Sequence, residues 1–345
     1  MAEDQDEMEM TGEGLPELAE PRYFAPEQMV RCEACLRANP PTRTSCLYCG
    51  EALPVTAEGL QRPTLRQLEK WEQGYNTILL PKSATHTAAE ALGEIAGWLR
   101  LGAEDLKMII EADQPLPLAR AATQSEADLI ERKLNGLGFG VLTVADQSLM
   151  PDETGPRRAR ALDFDKDALH LYPTGGGVSS KIEWADFLLL VAGRLFTRQL
   201  DVEERRRRGS EREIVNASEV SADEAVLDLY EAGPDAGWRI SANNFDFSCL
   251  GQKKSLLAAE NFQTLVALLR QCAPQAIFDD SYNRARQALS AVWRPEQRTE
   301  SGGLRHGRFG KFNTGSITII DYQMQFTRYS RLRHFLKLHH PELVP

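Results

Sequence analysis

The sequence predicts an α+β protein of several domains, and three observations lead to this fold class. The chain has 345 residues, which is more than one hydrophobic core usually organises. Four of its six cysteines cluster between positions 32 and 49. Beyond them, strand-like and helix-like patterns first alternate and then give way to many short strands. We therefore expect a small four-cysteine zinc finger, a two-layer α/β sandwich, and an antiparallel β barrel-like domain closed by a C-terminal helix.

The composition is typical of a folded protein in a reducing compartment. Hydrophobic residues make up 42% of the chain and charged residues 26%, which leaves room for sizeable cores. Apolar runs stay far below the roughly 20 residues that span a bilayer, and the first thirty residues are acidic. We therefore expect no membrane span, no signal peptide and a cytoplasmic location. The cysteine clustering favours a metal site over a disulfide framework.

Charge is distributed unevenly along the chain, although the net charge is -10. Residues 1–28 are rich in carboxylates and have no hydrophobic period, so we expect an acidic disordered tail. Residues 281–345 hold eleven Lys and Arg against four Asp and Glu and form a basic C-terminal extension. The negative net charge disfavours a protein that binds nucleic acid over its whole surface, but it is compatible with a local basic patch.

The cysteine module covers residues 29–53. Its spacing is Cys-x2-Cys-x10-Cys-x2-Cys, with the thiols of Cys32, Cys35, Cys46 and Cys49. Two Cys-x2-Cys pairs complete a tetrahedron around one zinc ion, and four thiolates leave no open position for catalysis. Disulfide pairing and a thioredoxin-like redox pair are the alternatives. Both are disfavoured, because the first needs an oxidising compartment and the second needs one pair beside a βαβ unit. We predict one structural zinc ion.

One further residue gives the module a family resemblance. Three residues separate Asn39 from Cys35, and six separate it from Cys46. The spacing resembles the Ran-binding-protein type of zinc finger, with the pattern Trp-x-Cys-x2-4-Cys-x3-Asn-x6-Cys-x2-Cys. The resemblance implies that the Asn39 side chain braces the loop between the two cysteine pairs.

The module departs from that family at the positions that would name a ligand. Val30 stands where the family has Trp, and Leu36 with Arg37 replaces the Thr-Phe pair by which some members bind ubiquitin. Members that read single-stranded RNA use a stacking Trp and several Arg. Here the arginines Arg31, Arg37 and Arg43 are present, but the module has no aromatic residue except Tyr48, so the resemblance does not name a partner.

Residues 75–146 predict a two-layer α/β sandwich with the order strand, helix, helix, strand, helix, strand. Thr123 or Ser125 is expected to cap the third helix. The phrases LRLGAEDLKMIIEA and SEADLIERKLNGLGFGVLTV resemble the C-terminal domain of the bacterial ribosomal stalk protein. In that family a lysine-lined helical face recruits translational GTPases. The equivalent face here offers Lys107 together with three acidic residues, Glu104, Asp105 and Glu111.

Residues 160–273 predict strands with turns rich in Gly, Asp and Pro, the last strand running over residues 238–249. An amphipathic helix at 255–272 follows. This order of elements loosely resembles a pleckstrin-homology-like barrel, in which such a helix plugs one open end. Residues 201–218 have mixed charges and are expected to be a mobile loop, and residues 294–314 a flexible, basic, Gly-rich segment.

We find no catalytic constellation in the sequence and expect a protein that is not an enzyme. Gly175, Gly176 and Gly177 precede a strand rather than a helix, so they indicate a hairpin turn and not a phosphate loop. No nucleophile elbow or nucleotide fingerprint is present. The histidines are scattered along the chain, which is typical of surface or packed residues; they are His86, His170, His306, His334, His339 and His340.

Two functional hypotheses follow. The first is a non-catalytic adaptor that binds a protein partner of unknown identity through the zinc finger and the barrel-like domain. The alternative is an RNA- or ribosome-associated factor. Its basis is the zinc finger, the stalk-like domain and a basic C-terminal segment interleaved with aromatic residues. That segment includes Arg294, Arg298, Arg305, His306, Arg308, Phe309, Lys311 and Phe312. The run of arginines at 205–208 is flanked by acids, which favours a solvated loop over a nucleic-acid contact.

Overall fold

The computed structural model shows a mixed α/β protein with a curled half-barrel sheet and a separate cysteine cluster. It describes residues 24–43, 46–51, 53–54, 68, 72–81, 89–150, 155–206, 212–233, 237–306 and 312–344. Most of the acidic tail and of the segment before residue 72 lies outside these ranges. The cysteine cluster includes a hairpin of β1 (Val30–Arg31) and β2 (Ala38–Asn39). Among the described helices, none combines the length and the hydropathy needed to cross a membrane.

The α/β unit has the order of elements that the sequence predicts. Its sheet has the strand order β4-β3-β5, and both pairings are antiparallel. Thr123 caps the third helix, because its side chain accepts a hydrogen bond from the amide of Glu126. The elements are β3 (Tyr75–Leu79), α1 (Ala89–Leu99), α2 (Ala103–Glu111), β4 (Leu116–Ala121), α3 (Gln124–Gly136) and β5 (Val141–Ala145), followed by the short α4 (Asp146–Leu149).

A nine-stranded sheet forms the rest of the body. Its strands are β6 (Arg157–Phe164), β7 (Ala168–Pro173), β8 (Ser180–Glu183), β9 (Phe187–Arg206), β10 (Arg212–Glu231), β11 (Trp238–Ser241), β12 (Ile277–Asp279), β13 (Glu296–His306) and β14 (Phe312–Asp321). The order is β13-β14-β9-β10-β11-β6-β7-β8, and β12 lies beside β9. The helices are α5 (Ala258–Cys272), α6 (Tyr282–Leu289) and α7 (Gln323–His339).

Three expectations about this region are wrong. The sheet is not purely antiparallel, because β11 pairs with β6 and β12 pairs with β9 in parallel. The strand expected over 238–249 ends at Ser241, where 3-10 turns begin, and the Asp246 carboxylate holds one of them through the amide of Ser248. The described parts of 201–218 and 294–314 are largely strand rather than loop, because the long strands β9, β10, β13 and β14 extend through them and pair with one another.

The central strands β9 and β10 separate two hydrophobic cores. On one face, Leu190 and Leu227 pack with the strands of the half-barrel and with α5. On the other face, Leu189 and Val226 pack with the α/β unit, α6 and α7. The alternation follows from the two-residue period of a strand that is covered on both faces. The segment expected to be a basic extension, 281–345, therefore contributes to the same core as the segment 75–146.

Candidate metal centre

The four cysteines lie on two turns of nearly identical geometry. The antiparallel hairpin of β1 and β2 supports the first turn. In that turn the amide of Cys32 donates to the carbonyl of Arg37 at 3.0 Å, and the amide of Leu36 donates to the carbonyl of Cys32. The second turn repeats the pattern: Cys46 donates to Glu51 at 2.8 Å, and Gly50 donates to Cys46. Each turn thus presents its two sulfurs in the same way.

The backbone of each turn reverses at a residue with positive φ. Gly50 has φ of 78° in the second turn, and Leu36 has φ of 60° in the first. Glycine adopts this region freely, whereas an L-residue with a β-carbon is strained there. The same backbone conformation therefore costs more conformational free energy at Leu36 than at Gly50. The Leu36 side chain is exposed.

Asn39 ties the two turns together and is completely buried. Its side-chain nitrogen Nδ2 donates to the carbonyl of Arg37 at 2.9 Å and lies 3.5 Å from the sulfur of Cys46. Its oxygen Oδ1 accepts from the amide of Leu47 at 2.8 Å. One amide side chain thereby bonds to both turns. This is the bracing role that the family resemblance implies.

The sulfur atoms of Cys32, Cys35, Cys46 and Cys49 all lie within 4.8 Å of one another. The closest approaches are 3.6 Å between Cys32 and Cys49 and 3.5 Å between Cys35 and Cys46. A disulfide bond needs about 2.05 Å, and all four cysteines are free. Sulfurs bound tetrahedrally at about 2.3 Å from zinc lie about 3.8 Å apart. The cluster could therefore hold one metal ion after only small adjustments.

Hydrogen bonds favour negative charge on one of these sulfurs. Burial opposes ionisation of Cys46, but bonds from the backbone of Tyr48 and Cys49 and from the side chains of Cys35 and Asn39 outweigh it. They lower the pKa of Cys46 to about 6. At Cys49 the backbone bond from Glu51 lowers the pKa, whereas burial and the neighbouring thiols raise it to about 12. A cation bound among the sulfurs would replace the protons that this crowding retains.

Comparisons of the chain with protein-family models, with curated proteins and with solved structures found no match.

The outer surface of the module exposes three large apolar side chains. Leu36, Leu47 and Tyr48 are 64%, 54% and 56% exposed. The guanidinium of Arg37 lies 4.7 Å from the centre of the Tyr48 ring.

Inside the module, Cys32, Cys46 and Leu53 form a small buried cluster, and Val30 packs against it. The half-buried Val30 side chain thus covers the core of the module.

A cleft of about 380 Å³ opens beside the half-barrel. Sequence reasoning missed it, because its lining comes from distant segments that share no motif. Glu224 is the one carboxylate among the lining residues, and it accepts a hydrogen bond from the amide of Asn243. The lining is formed by Arg158, Ala159, Arg160, Thr174, Gly175, Leu195, Glu224, Arg239, Ser241, Asn244 and Gln323.

The other residues singled out from the sequence do not gather at one site. Among the described residues, the four cysteines are the one group of side chains placed to share a metal ion, and it contains no histidine. His334 is buried in α7, where its Nε2 lies 3.0 Å from the carbonyl of Glu231. Gly175, Gly176 and Gly177 form the turn between β7 and β8, as expected. His86 and the segments 207–211 and 307–311 lie outside the described residues.

Proposed function

We propose that the protein is a non-catalytic, cytoplasmic interaction protein whose finger is held by one structural zinc ion and binds a protein partner. The observation that carries this proposal is the contrast between the clustered sulfurs of the module and the apolar side chains on its surface. The four sulfurs converge on one place beside the buried Asn39 side chain, whereas the side chains of Leu36, Leu47 and Tyr48 are exposed. A metal ion in such a site supplies folding energy and leaves the outer surface for recognition.

The donor set favours zinc over calcium and magnesium. Four thiolates in a tetrahedral arrangement suit zinc, whereas calcium and magnesium prefer oxygen ligands. The buried cluster of the module contains only Cys32, Cys46 and Leu53 among the described residues. A core this small does not stabilise a fold by itself, so the metal has to supply the missing energy.

The metal assignment has a direct test. Purified protein should contain about one zinc per chain, and Cys32→Ser combined with Cys35→Ser should abolish it. The matched control is Cys249→Ser with Cys272→Ser, since these two cysteines lie outside the cluster. A wild-type chain that keeps an ordered finger after complete metal removal would refute the structural role.

The exposed side chains suggest how the finger docks. Large apolar side chains on the surface of a small module mark interaction sites when they lie close together. Tyr48 is held beside Arg37 by a cation–π contact, and Tyr and Arg are the residue types most enriched where binding energy concentrates.

A pull-down with quantitative mass spectrometry tests the docking surface. The bait is the full chain, compared with Leu47→Ser plus Tyr48→Ser and with the surface control Leu256→Ser plus Leu257→Ser, whose leucines are also exposed. A specific partner should be lost about tenfold or more with the finger variant, because hot-spot residues contribute upwards of about 2 kcal/mol. Zinc content must stay at one per chain. Equal recovery with both variants would contradict docking by the finger.

One observation favours RNA as an alternative partner. The Arg37 guanidinium and the Tyr48 ring form a partly exposed cationic and aromatic platform, and bases stack on such platforms. The basic segment starts with Arg294 and Arg298, both exposed. Binding to single-stranded RNA should then weaken steeply with salt and fall with Tyr48→Ala or with charge reversal over 294–311. Absence of binding at low salt would exclude this role.

A further inference from the structure

Within the part of the chain that the structure describes, the outer half of β10 has a partner strand on one side only. On one side, β10 pairs with β9 along nearly its whole length. On the other side, β11 covers only Val226 to Leu229. The backbone groups of residues 216–223 on this second edge therefore face no other described strand. An edge of this length is a template for pairing with another chain unless the protein blocks it.

The features that usually protect a sheet edge from pairing with another strand are weak along this segment. The ladder between β9 and β10 runs without a register shift from Asn216 to Tyr230, and the bulge lies before Asn216. The edge is therefore straight where it is open. All of the side chains from 216 to 223 are exposed, and Val220 at the centre is 64% exposed. No proline or lysine interrupts the segment, although these are the residues that commonly protect an edge.

The acidic residues of the segment are already neutralised within the chain. Glu219 pairs with Arg198 of β9 at 2.5 Å, and Asp223 pairs with Arg194 at 3.1 Å. Both carboxylates point along the sheet toward β9 arginines rather than standing as uncompensated charges. They therefore repel an approaching acidic strand less than their number suggests.

We propose that this edge pairs with the same edge of a second copy of the chain, antiparallel and centred on Val220. A two-fold axis there places Val220 opposite Val220 and Glu219 opposite Ser221. It also places Ala217 opposite Asp223, and Asn216 opposite Glu224. No like charges stand directly opposite one another in this register, and a β-branched pair lies at its centre. The segment is thus complementary to itself, as a two-fold interface requires.

The resulting interface is small. It joins the nine residues 216–224 of each strand as a backbone ladder and makes one continuous sheet of two chains. Interfaces at the low end of the size range are weak and form reversibly. The dimer is therefore expected to depend on protein concentration. It does not involve the finger, so its failure would leave the proposed function untouched.

Opposite charge changes at one position test the register. Ser221→Arg places two arginines opposite the two Glu219 carboxylates and should tighten the dimer about threefold to tenfold, whereas Ser221→Glu should weaken it by a similar factor. Ser221→Ala is the reference. The measurement is sedimentation equilibrium of the full zinc-loaded chain from about 1 to 500 μM. Because the residue is exposed, circular dichroism should be unchanged in all three variants.

A matched control comes from the neighbouring strand. Gln199 of β9 lies beside Val220 and is exposed, but it is one strand away from the proposed axis. Gln199→Arg and Gln199→Glu should shift the dissociation constant much less than the changes at Ser221. A chain that stays monomeric throughout the concentration series would overturn the proposal. A dimer that responds in the same direction to Ser221→Arg and Ser221→Glu would overturn it as well.

Discussion

The backbone of the first cysteine turn is strained at Leu36, whereas the second turn has glycine at the equivalent position. Its φ of 60° costs an L-residue about 1 kcal/mol or more, whereas Gly50 adopts the equivalent conformation freely. Leu36→Gly should therefore stabilise the metal-bound finger by about 0.5–1 kcal/mol, after allowance for the greater freedom of glycine in the unfolded chain. Competition with a chelator should show zinc affinity raised about twofold to fivefold.

Leu36→Gly should also change zinc affinity and partner binding in opposite directions. Leu36 is 64% exposed, so its removal takes away apolar surface that the proposed partner contacts. A tighter zinc site together with weaker partner binding is the expected result. Lower zinc affinity in Leu36→Gly would show that the leucine side chain contributes to the fold of the finger.

His334 makes the stability of the body depend on pH. Burial, which outweighs its hydrogen bond with the carbonyl of Glu231, lowers the pKa of His334 to about 4, and Arg331 and His339 act in the same direction. The unfolded chain takes up a proton near pH 6.5, but the folded chain does not. Stability is therefore fully present above pH 6.5 and is lost as the pH falls toward 4, by an amount on the order of 3 kcal/mol.

Urea unfolding at pH 7.0, 5.5 and 4.5 checks this dependence. His334→Gln keeps a donor for the Glu231 carbonyl and does not titrate, so its free energy of unfolding should fall less between pH 7.0 and 4.5 than that of the wild type. Parallel declines in the two proteins would assign the acid sensitivity to other groups.

At the scale of elements, β10 and β11 are joined by a buried ion pair. Asp228 and Arg239 are cross-strand partners, and two bonds of 2.7 Å link the carboxylate to the guanidinium. Arg239 also donates to Thr327 of α7 at 3.0 Å. Asp228→Asn should destabilise the protein by about 3–5 kcal/mol, because it leaves a buried guanidinium without its counter-charge.

Chemical denaturation measures this cost, and the exposed pair of Asp280 with Arg284 supplies the control. Asp280→Asn should change stability little, since exposed ion pairs contribute little. Replacing both buried partners, with Asp228→Leu and Arg239→Met, should recover much of the lost stability. A small effect of Asp228→Asn would mean that water reaches the Arg239 guanidinium.

Local signals were enough to predict many elements but not the pairing of distant strands. The helix cap at Thr123 and the cysteine spacing act within a few residues, and the structure has both. The strand character of 201–218 was missed because its mixed charges indicate solvent in any local window. The Glu203 side chain instead accepts a hydrogen bond at 2.7 Å from Asn313 of the neighbouring strand β14, and just outside this stretch Arg198 pairs with Glu219 across the strands. Such compensation comes from register, which local periodicity does not report.

At the scale of the whole molecule, the C-terminal helices complete a core begun more than 200 residues earlier. Trp293 is completely buried, and its indole Nε1 donates to the side-chain oxygen of Asn76 at 2.9 Å. Asn76 also donates to Asp146, which pairs with Arg120. The sequence marks Trp293 only as the end of a helix, since contacts at this separation leave no periodic trace. We infer that the segments 72–150 and 281–344 unfold together.

Trp293→Phe tests this coupling. It keeps most of the apolar surface but leaves the Asn76 oxygen without its donor, so it should cost about 1–3 kcal/mol. The control is Trp98→Phe. The buried indole nitrogen of Trp98 has no hydrogen-bond partner among the described residues, so its removal leaves no acceptor without a donor. Hydrogen exchange should show the same loss of protection in β3 and in α7 for Trp293→Phe. Loss confined to one of these elements would mean that the shared core holds two units that unfold separately.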